Sequence, residues 1–186
     1  MRALLTCRPL TGHFRPLLPL AHALAAAGHE VAFASGEPVL SEARAEGFTA
    51  FRAGLDSSSR DELFRRYPDL HSLPRSEMRA FFFAELFVRI ELEPRAANLT
   101  AIVERWAPDV AVHEIAEFAL PLVATVAGIP YASHGFGALV PDDVVRAAGA
   151  AAAPSWSSRG LMPHPLGGAY RRLYTDPPER CASFVR

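Results

Sequence analysis

The chain has 186 residues, half of them hydrophobic, which suffices for one full core, or for two only if both are small, and lies outside the composition of disordered chains. Its 19 basic and 20 acidic side chains leave a formal net charge of −1, so no global field gathers nucleic acid or an anionic membrane. Only Cys7 and Cys181 are present, in no metal-ligand spacing and too few for a disulfide framework, and a reducing, cytoplasmic setting is expected. The opening apolar stretch is too short for a signal peptide, and no apolar run reaches the roughly 18 residues of a membrane span.

In chain order, Ala3 to Thr6 is a short apolar run ended by Arg8-Pro9-Leu10-Thr11-Gly12, which reads as a buried strand leading into a loop. From Pro16, whose missing N–H suits a first helical turn, Leu17, Leu20, Ala21 and Leu24 set a helical stripe closed by Gly28. Glu30 to Ser35 is mostly apolar, as expected of a parallel strand covered on both faces. Strand, loop, helix and strand together occupy about 35 residues, the span of a βαβ crossover. Glu37 to Glu46 continues as a short helix ended by Gly47, and Phe48 to Ala53 as a third strand.

Gly54 to Pro74 breaks the rhythm with Ser57-Ser58-Ser59, Pro68 and Pro74, and reads as a long loop of the kind that is functional or mobile. Ser76 to about Trp106 is helical, with a kink or boundary forced by Pro94. Asp109 to His113 is a strand, Phe118 to Ala127 a helix ended by Gly128, and Pro130 to Ser133 a further strand. Ala147 to Ala153 reads as an alanine-rich helix or linker, followed by a connection rich in proline, serine and glycine. Strands alternating with helices predict the α/β class, a parallel sheet with right-handed crossovers.

His13 stands where the first strand gives way to the first helix, the place at which open α/β sheets hold ligands. Gly12 beside it permits close backbone approach. By itself the position also suits a surface or capping histidine. His134-Gly135-Phe136-Gly137 leaves another strand at the same edge; it suits a cleft loop with Phe136 stacking on a substrate, or a plain strand-ending turn. Phe83, Leu86, Phe87 and Ile90 share a core-like helical stripe, with Met78 one turn earlier, while Phe81 and Phe82 fall partly off it. His22, His29, His71 and His164, and the Arg171-Arg172 pair, suit solvated or capping roles. No histidine, cysteine or carboxylate set has metal-ligand spacing, and neither a glycine-rich phosphate loop nor a G-x-S-x-G elbow occurs, which opposes a nucleotide-binding or hydrolase reading.

Thr11 to Ala21, followed by Gly28 to Ser35, resembles the opening of family-1 glycosyltransferases of the two-domain GT-B fold, in particular the actinobacterial enzymes that decorate macrolides, enediynes and other natural products. The likeness continues through Asp109 to Glu114, Ile129 to Gly137, Trp156, Tyr170 to Tyr174 and Asp176-Pro177-Pro178. It implies a single Rossmann-like acceptor-binding domain over 1–186, with 147–186 as the connection toward a C-terminal nucleotide-sugar domain. It further implies that His13 is the general base of an inverting sugar transfer, an alcohol being a poor nucleophile until a positioned base takes its proton. Related enzymes hold that histidine with an aspartate at a later strand end; here His113-Glu114 occupies the place. Glu114 then either orients His13 or merely starts a helix, and His113 itself is a candidate to face the cleft.

On this resemblance the acceptor is a lipophilic natural product bound by Gly12, Phe14, Met78, Phe81, Phe82, His113, His134, Gly135 and Phe136. The nucleotide sugar is a co-substrate of the complete enzyme, and no cofactor or metal is expected. The Gly54 to Pro74 loop would be a mobile wall of the acceptor pocket. A chain that begins like these enzymes and carries no donor-phosphate site would be silent alone. The alternative is a non-catalytic protein that uses the same fold to hold a small molecule or to activate a partner.

Overall fold

The structure, a computed structural model, describes residues 1–56 and 90–135, together with Asp61, Phe64, Arg65, Pro68, Ser72, Pro74, Met78, Leu86 and Phe87. The expectations for Phe81, Phe82, Phe136 and the 147–186 connection lie outside these residues.

Five strands, β1 (Arg2–Thr6), β2 (Glu30–Ser35), β3 (Thr49–Arg52), β4 (Val110–Glu114) and β5 (Tyr131–His134), form one sheet in the order β3-β2-β1-β4-β5. All four pairings are parallel. Alternation along β1 sends Leu4 into one core and Leu5 into the other, both fully buried. A parallel strand buried on both faces needs this near-continuous apolar run, which is why the opening residues lack an in-out polar pattern.

One core lies under α1 (Thr11–Phe14), the tight turn Arg15–Leu17, α2 (Leu18–Ala26) and α3 (Val39–Ala45). There Phe14, Leu17 and Ala21 are fully buried against Leu5 and Phe33. The other lies under α4 (Leu92–Trp106) and α5 (Ala119–Ala127), where Ala96, Leu99, Leu120 and Leu122 are fully buried. Each such leucine or phenylalanine contributes about 1.5–3 kcal/mol by leaving water. Gly128, at φ +70°, ends α5 in the left-handed conformation that a side chain resists.

The first helix starts earlier than Pro16. Leu10 is extended (φ −132°, ψ 135°), and its carbonyl already accepts the amides of His13 (2.9 Å) and Phe14 (3.1 Å). His13 therefore belongs to a helical turn rather than to a loop. Pro94 marks a boundary, standing in the first turn of α4, where its missing N–H has no helical partner to lose. Asp61, Phe64 and Arg65 are helical, so part of the 54–74 segment is not loop.

Candidate functional site

Strand order reverses at β1: the chain moves outward to β2 and β3, then returns to place β4 and β5 on the other side. At such a switch point the connections leaving β1 and β4 diverge and open a crevice at the carboxyl ends of the strands. β1 runs into α1, which carries His13, and β4 ends at Glu114.

The two side chains meet there. His13 Nδ1 lies 3.0 Å from Glu114 Oε1, with the His13 side chain 18% exposed and that of Glu114 fully buried. The carboxylate is fixed from two further directions: the Arg8 amide donates to Oε1 at 3.3 Å and the Ala116 amide to Oε2 at 2.7 Å. A buried carboxylate is costly without such donors. With Nδ1 turned to Glu114, Nε2 is the nitrogen on the opposite side of the ring, where an incoming hydroxyl would offer its proton.

His113 is not part of the crevice. It is completely buried, and its Nδ1 contacts the carbonyls of Glu114 (3.0 Å) and Glu117 (2.8 Å), so Nδ1 carries the hydrogen. Burial pushes its imidazole below the ordinary histidine value, against the opposing pull of Glu117. Successive strand residues face opposite sides, so a site that uses Glu114 excludes its neighbour.

Phe14 does not line the crevice either. It is fully buried, edge-on to Phe33 at 4.9 Å between ring centres, because neighbours on a helix point about 100° apart and His13 takes the rim direction. Gly12 is exposed beside His13, with nothing within 4 Å of where a Cβ would stand. His134 is the register partner of Glu114 across the β4–β5 pairing, half-buried, and Gly135 beyond it is exposed. Met78 is half-buried in a helical conformation. His22 is exposed and lies 3.1 Å from Glu46, away from the crevice.

Several polar residues around the site have no local signature. Thr6 donates to buried Glu117 at 2.7 Å, and Glu117 in turn accepts the Ala119 and Leu120 amides that open α5. Arg8, Glu91 and Arg95 form a buried ionic cluster behind the pair. Desolvation lowers the Arg8 guanidinium from its ordinary value, with Glu91 opposing. Burial pushes the Cys7 thiol well up, so it is inert at neutral pH. Among the described residues, no group of three or more histidine, cysteine or carboxylate side chains is placed to hold a metal, and no helix is long and apolar enough to cross a membrane.

A parallel sheet of this order is a doubly wound, Rossmann-like α/β fold, and the solved structures it superposes on include glycosyltransferases of the GT-B fold. The glycosyltransferase SsfS6 of Streptomyces sp. SF2575, complexed with thymidine diphosphate, matches with a TM-score of 0.64 and 27% identity, covering 89% of this chain and 47% of that one. The chain belongs to the family described as Erythromycin biosynthesis protein CIII-like, N-terminal domain, whose family model matches residues 22–181. Among curated relatives, the L-demethylnoviosyl transferase of Streptomyces niveus is 36% identical over 149 residues, 80% of this chain. The elloramycin glycosyltransferase ElmGT of Streptomyces olivaceus is 33% identical over 177 residues, 89% of this chain. The matched segment spans 38% and 44% of those two relatives' own lengths.

Proposed function

We propose that this chain is the acceptor-binding lobe of an inverting glycosyltransferase, with His13 as general base and Glu114 as the residue that orients it. The observation that carries the reading is the 3.0 Å approach of Glu114 to His13 Nδ1 at the switch point. In the reaction, Nε2 takes the proton of an acceptor hydroxyl while its oxygen bonds to the anomeric carbon. The bond from that carbon to the nucleotide's terminal phosphate breaks, and the nucleoside diphosphate leaves with the electron pair. Attack from the face opposite the leaving group inverts the configuration. Glu114 stabilises the imidazolium without itself taking the proton, as in other histidine–carboxylate pairs.

The nucleotide sugar is brought by a second lobe, in keeping with the thymidine diphosphate of the SsfS6 complex and with the fraction of the relatives that this chain spans. A lipophilic natural-product hydroxyl as acceptor agrees with the relatives, one of which is an aklavinone 7-beta-L-rhodosaminyltransferase from Streptomyces galilaeus. The reading calls on no cofactor, and a cytoplasmic setting is part of the proposal.

The test is sugar transfer by the full-length transferase that contains this lobe, given a thymidine-diphosphate sugar and aromatic or macrolide aglycones. His13→Ala is expected to lower transfer on the order of 10²–10⁴-fold while aglycone binding persists. Unchanged transfer by that variant contradicts the reading. Aglycone binding with no transfer by the wild type favours a non-catalytic binding protein.

A further inference from the structure

The ionic cluster behind the pair reaches the base through one residue. Arg8 is 4% exposed, and its guanidinium donates one hydrogen bond to Glu91, Nη2 to Oε1 at 2.9 Å, with Nη1 in ionic contact 2.8 Å from Oε2. The same guanidinium lies 3.5 Å from the centre of the Phe87 ring. Its main-chain amide, in contrast, donates to Glu114 Oε1, the oxygen that faces His13. Arg8 thus has its backbone on the orienting carboxylate and its side chain on the segment that enters α4. Arg95 backs the arrangement from α4, with Nη1 donating to the Cys7 carbonyl at 3.1 Å and Nη2 3.7 Å from Glu91 Oε2.

Stability does not account for this cluster. Desolvation offsets most of the attraction in a buried ion pair, and apolar side chains of similar volume are commonly as stable or more so. Arg8 Nε is moreover buried without a hydrogen-bond partner among the described residues, a cost that a stability device would avoid. What the buried guanidinium–carboxylate contact does is tie the exit of β1 to the residue before α4, so that neither can shift without breaking a charge-assisted hydrogen bond away from water.

We infer that Arg8 and Glu91 are positioning residues for the base: their clamp sets the exit of β1, and with it the spacing of Glu114 and His13, relative to the segment that carries Phe87. The clamp rests on the assignment of His13 as base. It acts on the rate of proton removal rather than on acceptor binding, because neither residue stands at the exposed rim.

The test is kcat and acceptor KM of the full-length transferase, measured beside thermal unfolding, for Arg8→Met, Glu91→Gln, Arg8→Lys and the double variant Arg8→Met/Glu91→Gln. Each single change should lower kcat at least about 10-fold with acceptor KM within about threefold of wild type. The double variant leaves no carboxylate without its guanidinium, so its melting temperature should recover beyond that of Arg8→Met while kcat stays low. Arg8→Lys keeps the charge without the planar guanidinium and should recover melting temperature further than kcat. Recovery of kcat together with stability in the double variant overturns the clamp, as does unchanged kcat in Arg8→Met. His13→Ala, assayed alongside, separates the two claims: activity retained there removes the base itself, whereas an inactive His13→Ala beside fully active clamp variants removes the clamp alone.

Discussion

His113 and Glu114 are adjacent in β4 and serve opposite faces of the sheet. The first closes its ring onto the carbonyls of Glu114 and Glu117, and the second turns its carboxylate to His13. Neighbouring substitutions should therefore separate catalysis from stability.

Glu114→Gln removes the charge that faces the ring and keeps the volume. In the full-length transferase kcat should fall on the order of 10²-fold, with acceptor affinity little changed. Because a glutamine offers one accepting oxygen where the carboxylate offers two, the Arg8 or the Ala116 amide loses its acceptor, and unfolding by urea should also show a loss of about 1–2 kcal/mol. Wild-type kcat in this variant would remove Glu114 from the mechanism.

His113 makes stability depend on pH. Burial holds its folded-state value below the ordinary one, so the unfolded chain binds the extra proton first. Its contribution is then fully present above the unfolded value of about 6.5 and is lost as pH falls from there through the lowered folded value. His113→Asn keeps a donor for the carbonyls but does not titrate. Urea unfolding between about pH 7 and pH 5 should show a shallower decline for the variant than for the wild type, although the variant starts less stable at pH 7. Equal slopes would mean that another group governs the acid limb.

Gly54 sits under Arg95. With φ at +75° and a Cβ that would come within 2.9 Å of the guanidinium, Gly54→Ala combines backbone strain with pressure on a buried cation that is already bonded to Cys7. A destabilisation of about 1–3 kcal/mol is expected, read as a shift of the urea midpoint at constant slope. A change below about 0.5 kcal/mol would mean that Arg95 yields freely.

Much of the fold is legible because the chain punctuates itself. The apolar runs at Ala3–Thr6 and Glu30–Ser35, and glycines at 28, 47 and 128, fall within a residue or two of the observed strand and helix ends. The meeting of His13 with Glu114 is legible as well, since the turn after β1 and the end of β4 lie at the same sheet edge. Phe14 and His113 fail as crevice residues for one reason: proximity in sequence to a site residue turns a side chain away from it, by half a turn on a strand and by about 100° on a helix. The helix holding His13 was hidden because Leu10, an apolar residue without capping chemistry, opens it. Arg8 and Glu91 left no mark at all, since a pair 83 residues apart has no spacing that a linear pattern registers.

The central claim is that Glu114 holds His13 with Nδ1 protonated and Nε2 bare. Long-range ¹H–¹⁵N correlation of the histidine rings at a pH where His13 is neutral reads this tautomer directly. The account requires a protonated Nδ1 and a pyridine-like Nε2 for His13, with that preference weakened in Glu114→Gln. A hydrogen resident on Nε2 in the wild type, or a tautomer indifferent to Glu114, would contradict it.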